Sequence, residues 1–308
     1  MKYIWAILAT LGLAGLVLFF YLSQTKPTHT PPKLGTTQTA SSEKTDNQPT
    51  PTENIVSEEY SVSYDDKQLY GKITAPSDYK SKKLPTIVIA HGLNNTLEQY
   101  DMYSQLLAKQ GYLVYSFDFY GGSSQSKSGG QDMLNMSVKT ELTDLTQVME
   151  KLSSEAFVDK SKMSLFGASQ GGVVASLYAA TYPDRVHKLL LIFPAFVLFD
   201  DAKETYRELG NPDFDQLPDS LTHHNTTLGK IYLIDALDID IQAEQAKITA
   251  PTLIIHGTDD AVVPYHYAVQ ASQTIPNAKL VTVEGGEHRI DERFTITAAP
   301  AIQNFLKE

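Results

Sequence analysis

Six short apolar runs, Thr86–Ala90, Leu113–Phe117, Met163–Phe166, Leu189–Phe193, Thr252–His256 and Leu280–Val283, recur along the chain with amphipathic stretches between them. Strands this uniformly apolar must be covered on both faces. The segments available to cover them read as helices over Leu97–Gln110, Val138–Leu152, Gln170–Tyr182, Tyr265–Gln273 and Ala298–Leu306. The alternation predicts an α/β fold with a mainly parallel central sheet and helices on both faces. Ahead of it, Tyr60–Tyr64 and Leu69–Ala75 alternate around Asp65-Asp66-Lys67 and predict an antiparallel hairpin. The rhythm breaks once, between Phe193 and Thr252. A long insertion in a compact domain is usually functional, and this one is expected to form a cap at about 196–250, after the sixth strand.

Two other segments precede this pattern. Tyr3 to Leu22 carries no charge, and as a helix it would be about 30 Å long, the thickness of a bilayer's hydrocarbon core. Tyr3 and Trp5 at one end and Tyr21 at the other suit interfacial aromatic belts. A cleaved signal peptide is the alternative, but the run exceeds the usual apolar region and no Ala-x-Ala site precedes Ser23-Gln24-Thr25-Lys26. Residues 1–22 are therefore expected to be a single-pass anchor. Residues 23–54, rich in Thr, Pro and Ser, bury too little apolar surface to offset their ordering entropy and read as a disordered linker. Residues 55–308 remain for one α/β domain.

The formal net charge of -11 leaves no basic stripe for phosphates, which excludes nucleic acid as a partner. The absence of cysteine excludes disulfides, thiolate metal sites and a cysteine nucleophile.

Gly167-Ala168-Ser169-Gln170-Gly171 sits between a predicted strand and a predicted helix. A Gly-x-Ser-x-Gly sequence in that setting places the serine on a sharp turn, with glycines where side chains would collide. A serine hydroxyl needs a base to take its proton, and the base needs an orienting carboxylate. At such turns the acid and then the histidine follow in chain order. The run ending at His256 leads into Gly257-Thr258-Asp259-Asp260, and the next is followed by Gly285-Gly286-Glu287-His288. Asp259 and Asp260 compete for the acid, with Asp260 favoured by the following Ala-Val-Val-Pro264. His288 is the only histidine that follows the acid in a glycine-rich loop. The catalytic set is thus expected to be Ser169, Asp260 and His288. Backbone donors for an oxyanion are expected at Gln170 and, in the loop His91-Gly92-Leu93-Asn94-Asn95, at Leu93.

Other residues carry blander expectations. His91 is expected to pack below the site and His256 to shape a turn. His223-His224 in the cap could form a metal pair but read as solvated polar residues. Gly121-Gly122-Ser123-Ser124 with Gly129-Gly130 lacks the Gly-Lys-Ser/Thr of a phosphate cradle and reads as a loop near the site mouth. Tyr178, Tyr206 and Tyr232 could line an acyl pocket but read as ordinary packing.

With these pieces in place, the chain resembles the bacterial cinnamoyl/feruloyl esterase-like branch of the α/β-hydrolases, bordering on serine aminopeptidase-like hydrolases. The resemblance spans about Tyr60 to Phe305. It rests on Ser169-Gln-Gly-Gly-Val-Val-Ala-Ser176, Tyr182-Pro-Asp184, Phe193-Pro-Ala195, Ile255-His-Gly-Thr-Asp-Asp260 and Gly286-Glu-His288. It implies an α/β-hydrolase fold over 55–308 and a capped serine esterase releasing short-chain or aromatic acyl groups from a small-molecule ester, with neither metal nor organic cofactor. The sequence departs from the family at Asp118-Phe-Tyr-Gly-Gly-Ser123, where Gly-His-Gly-x-Ser is commoner, and at Arg289-Ile290, where an aromatic is common. Both changes bear on the preference for aromatic acyl groups.

Two alternatives stand beside the esterase. An aminopeptidase would hold a substrate amine on cap acids such as Asp200, Asp201 and Glu204. A surface-displayed binding protein would use the fold without turnover. The Thr/Pro-rich linker and the very short N-terminal tail place the domain outside the cell as a hypothesis. Protease added to intact cells is then expected to remove the domain, and protection that persists until lysis would reverse this orientation.

Overall fold

The computed structural model describes residues 49–129 and 132–308. The expected anchor, 1–22, and residues 23–48 of the expected linker lie outside the described residues. Among the described residues no helix is long and apolar enough to cross a membrane.

The chain opens with four strands, β1 (Ile55–Glu59), β2 (Val62–Tyr64), β3 (Lys67–Leu69) and β4 (Gly71–Pro76). Strand β5 (Leu84–Ala90), helix α1 (Asp101–Lys109), β6 (Leu113–Phe117), α2 (Val138–Ser153), β7 (Val158–Ala168), α3 (Gln170–Thr181) and β8 (Leu189–Ile192) then alternate. Next come α4 (Leu198–Glu208), a hairpin of β9 (Ser220–His223) and β10 (Thr226–Gly229), α5 (Lys230–Leu237) and α6 (Ile241–Gln245). The chain closes with β11 (Thr252–Gly257), α7 (His266–Thr274), β12 (Ala278–Val283) and α8 (Glu292–Lys307).

Eight strands form one sheet in the order β1-β4-β6-β5-β7-β8-β11-β12. All neighbours from β6 to β12 are parallel, while β4 is antiparallel to both β1 and β6. The order reverses at β5, which has β6 on one side and β7 on the other. Such a switch point opens a crevice at the carboxyl ends of the strands.

Strand pleat sends successive side chains to opposite faces, and the apolar runs supply both. Ile87, Phe166 and Ile255 join Leu107 of α1 and Phe294 and Ile302 of α8 on one face. Val88, Leu165 and Ile254 join Leu145 of α2, Val174 of α3 and Ala268 of α7 on the other. Residues Gln170 to Ala180 of α3 are all buried. A helix apolar around its whole circumference belongs inside, and here the sheet and the neighbouring helices enclose it.

The insertion after β8, the sixth strand of the main sheet in chain order, holds α4, the hairpin, α5 and α6. It is fastened to the start of α2, where Ser137 Oγ donates to Asp235 Oδ2 (2.5 Å) and Lys139 Nζ donates to Asp238 Oδ2 (2.6 Å).

Several boundaries differ from the sequence expectation. The helix expected from Leu97 begins as a 3-10 turn over Leu97–Tyr100, because the buried Asp118 carboxylate accepts the Leu97 N–H (2.9 Å). Strand β7 starts five residues before the expected Met163, since its exposed Lys160 and Ser161 hide the pattern. Helix α8 starts at Glu292 rather than Ala298, capped by Asp291, whose side chain accepts the Phe294 N–H (2.9 Å). The expected linker runs to Asn54, yet the chain is tied down earlier. Thr52 N–H donates to Lys109 O (2.8 Å), and Asn54 O accepts from Ser77 N–H (2.9 Å).

Candidate active site

Strand β7 delivers Ser169 with φ 53° and ψ -122°. A non-glycine residue in that region is strained and persists only where the surroundings hold it. A Cβ on Gly167 would strike Gly171 O, and a Cβ on Gly171 would strike the carbonyl oxygens of Ala90 and His91. A Cβ on Gly172 would come within 2.9 Å of Pro194 Cβ. Only glycine at these places lets β7, α3 and the loop after β5 close on one another.

The expected acid and base come from neighbouring strand ends. His288, in the loop after β12, has Nδ1 2.7 Å from Asp260 Oδ2 and Nε2 3.0 Å from Ser169 Oγ. Nδ1–H therefore donates to the carboxylate, and Nε2 is left to accept the serine proton. Asp260 Oδ1 accepts the N–H groups of Val262 (3.0 Å) and Val263 (2.8 Å). His256 Nε2 lies 3.2 Å from Asp260 Oδ2 and 2.8 Å from Val263 O. A carbonyl can only accept, so this nitrogen carries a proton. Burial alone would raise the Asp260 carboxyl. Hydrogen bonds from His256, His288 and Val263 outweigh it and hold the group well below the usual carboxylate range. Asp259, the competing acid, instead accepts from Thr258 Oγ1 (3.1 Å) and is exposed.

Two loops fix the angle between acid and base. A Cβ on Gly257 would collide with Gly286 O, and Asp259 N–H donates to that same oxygen (2.9 Å). Behind the base, the Phe193 ring packs 4.4 Å from the His288 ring and 5.3 Å from Phe294.

A cavity of about 620 Å³ opens over Ser169. Leu93, Gln170, Phe193, Tyr232 and Ile290 line it with His288. Among the described residues the N–H groups of Leu93 and Gln170 have no acceptor. His91 lies below, buried, with Nε2 accepting the Phe119 N–H (3.0 Å), so its Nδ1–H donates to Gly92 O (2.8 Å). Burial pushes its pKa down and keeps it neutral.

The Gln170 side chain is clamped in a way the sequence does not announce. Its amide donates from Nε2 to Glu141 Oε2 of α2 (2.8 Å), and its Oε1 accepts from Tyr232 Oη of the insertion after β8 (2.7 Å). Glu141 is fully buried, and burial lifts its pKa to about 8 against the opposing hydrogen bond from Gln170. Its Oε1 has no partner among the described residues, which costs less on a neutral carboxyl than on a carboxylate. Asp144, one turn on, is raised by burial to about 6 and is held by Tyr64 Oη and the Tyr120 N–H. Two acids on a helix otherwise facing the core were the available signal.

Of the three tyrosines considered for an acyl pocket, Tyr232 lines the cavity. Tyr206 donates to Pro212 O (2.7 Å), and Tyr178 packs on Tyr182 (4.8 Å). In the serine-rich loop, Ser124 N–H and Oγ both donate to Asn94 Oδ1 (3.0 Å each), which ties that loop to the cavity wall.

This arrangement has known relatives. A family model described as serine aminopeptidase, S33, matches residues 81–210, and one described as TAP-like protein matches residues 238–308. The bifunctional esterase/perhydrolase of Acinetobacter calcoaceticus is 25% identical over 252 residues, covering 68% of this chain and 87% of its own length. The AB hydrolase superfamily protein YisY of Bacillus subtilis is 27% identical over 238 residues, covering 66% and 84%. Among solved structures, Est1E of Butyrivibrio proteoclasticus with ferulic acid bound superposes with a TM-score of 0.71 at 27% identity, covering 80% of this chain and 98% of its own. The chain is a member of the α/β-hydrolase superfamily. It is a hydrolase, and both branches named from its motifs recur among these matches.

Two outcomes are expected. Gly257→Ala would push the Asp260 and His288 loops apart, and misplacement of reacting groups by about 1 Å can cost about 10²-fold in rate. Steady-state hydrolysis and thermal melting would detect it, and a fully active variant would show that the loops tolerate separation. The second concerns Glu141. A carboxyl with a raised folded pKa contributes stability that is fully present below its unfolded value near 4.3 and is lost as pH rises toward about 8. Glu141→Gln copies the protonated form, so its melting temperature should exceed the parent's by a margin that grows between about pH 5 and pH 9. A constant margin would mean that Glu141 is not titrating.

Proposed function

We propose that the chain is a serine carboxylesterase, cleaving a small-molecule ester through an acyl-enzyme intermediate. The observation that carries this reading is the hydrogen-bonded series Asp260–His288–Ser169, with the serine held at φ 53° at the end of a strand. Ser169 Oγ attacks the ester carbonyl while His288 Nε2 takes its proton, and Asp260 stabilises the imidazolium that results. The Leu93 and Gln170 N–H groups receive the developing oxyanion. His288 returns the proton to the departing alcohol, and water repeats the cycle on the acyl-enzyme.

The lining of the cavity favours esters over N-terminal peptides. An aminopeptidase must hold an ammonium group, yet none of the residues lining the cavity is acidic. Asp200 is engaged by Lys203 Nζ and Tyr267 Oη, Asp201 Oδ2 lies 3.7 Å from His224 Nε2 and outside the cavity lining, and Glu204 pairs with Arg207. Leu93, Phe193, Val197, Leu198, Val263 and Ile290 supply apolar surface for an acyl chain.

The test is hydrolysis of p-nitrophenyl acetate, butyrate and octanoate and of methyl ferulate by the full-length chain. Ser169→Ala should abolish turnover above the non-enzymatic rate, and Asp260→Asn should lower kcat by about 10⁴-fold by disturbing the histidine tautomer. Equal rates from parent and Ser169→Ala would reject the serine mechanism. Faster cleavage of matched amides than of esters would move the reading to a peptidase.

A further inference from the structure

Two histidines that line the cavity belong to a second cluster of chemistry-bearing groups that the hydrolytic reading does not use. His223 ends β9 and His224 begins the turn to β10. Adjacent residues of a strand ordinarily point to opposite faces. Here His224 has φ 44° and Asn225 φ 61°, and this left-handed pair folds the two rings together, with centroids 4.3 Å apart. The Tyr232 ring, 5.6 Å from that of His223, packs on the other side. Asp201 of α4 completes the group, with Oδ2 3.7 Å from His224 Nε2. One ligand atom from each of Asp201, His223 and His224 lies within 4.8 Å of the other two.

We propose that Asp201, His223 and His224 form a binding site for one divalent transition-metal ion of the zinc class, with the two histidines lining the cavity and Asp201 in the adjoining cleft. Two imidazoles and a carboxylate are a donor set suited to zinc, and cobalt(II) reports the same geometry. Tetrahedral coordination at about 2.0–2.1 Å sets donor atoms about 3.4 Å apart. The Asp201–His224 separation of 3.7 Å is close to this already. Both histidines line the cavity. Three protein ligands leave the fourth position facing it, open to water or to an oxygen of the bound small molecule. The ion would also reinforce the link between α4 and the β9–β10 hairpin that the Asp201–His224 contact makes.

The test reads metal directly and does not depend on the esterase assignment. The metal-stripped full-length chain is titrated with cobalt(II), followed by its visible d–d absorption, and then with zinc(II) as competitor. One equivalent of cobalt should bind with the strong absorption of a four- or five-coordinate ion and be displaced by zinc. His223→Phe keeps the ring contact with Tyr232, His224→Asn keeps a residue that tolerates the left-handed turn, and Asp201→Asn keeps the shape. Each should weaken binding by more than about tenfold and remove the rise in melting temperature that zinc gives the parent. Absence of micromolar binding to the parent would overturn the site, as would equal binding to all three variants with their parental melting temperatures intact.

Discussion

Steric exclusion at one turn governs the site. The sheet and α3 approach so closely around Ser169 that residues 167 and 171 have no room for a single Cβ. The strain at Ser169 is local, of the order of 1–3 kcal/mol for a non-glycine residue in such a conformation. It is held by interactions on both sides. The Ser169 N–H donates to Ile192 O of β8 (3.0 Å), and its carbonyl accepts from Gly172 and Ala195 N–H groups (2.9 and 3.0 Å). Because those partners include β8 and the segment leading into the insertion, the serine is oriented by the fold at large and not by its own helix alone.

The second dependence is the placement of acid and base on separate neighbouring strands. Parallel pairing of β11 with β12, from Thr252↔Ala278 to Gly257↔Val283, brings both carboxyl ends to the same edge. Asp260 then collects four donors around one buried carboxylate: two backbone N–H groups, His256 and His288. A buried charge is expensive unless hydrogen-bonded, and each of these donors offsets part of that cost.

The framework was legible from the sequence because it rests on local pattern. Apolar runs mark strands covered on both faces, and Gly167–Gly171 marks a turn whose steric demands are met by residues close in sequence. The meeting of Asp260 and His288 with Ser169 was legible from chain order and from glycine-rich loops following strands. The clamp of Gln170 between Glu141 and Tyr232 was not, since it lies in contacts spanning 29 and 62 residues that no periodicity encodes. The same holds for α8, whose start is set by the Asp291 cap rather than by apolar spacing, and for the 3-10 turn at Leu97, which forms because Asp118 comes up from a different strand.

The Gln170 clamp has a consequence for how this architecture can be rebuilt. One end of that side chain is held by the body of the enzyme and the other by a hydroxyl from the inserted segment. The insertion is therefore not an interchangeable module. A segment transplanted from a relative would leave a buried amide oxygen without a donor unless it returned a hydroxyl to the place of Tyr232, so substrate range and serviceable chemistry must change together in this lineage.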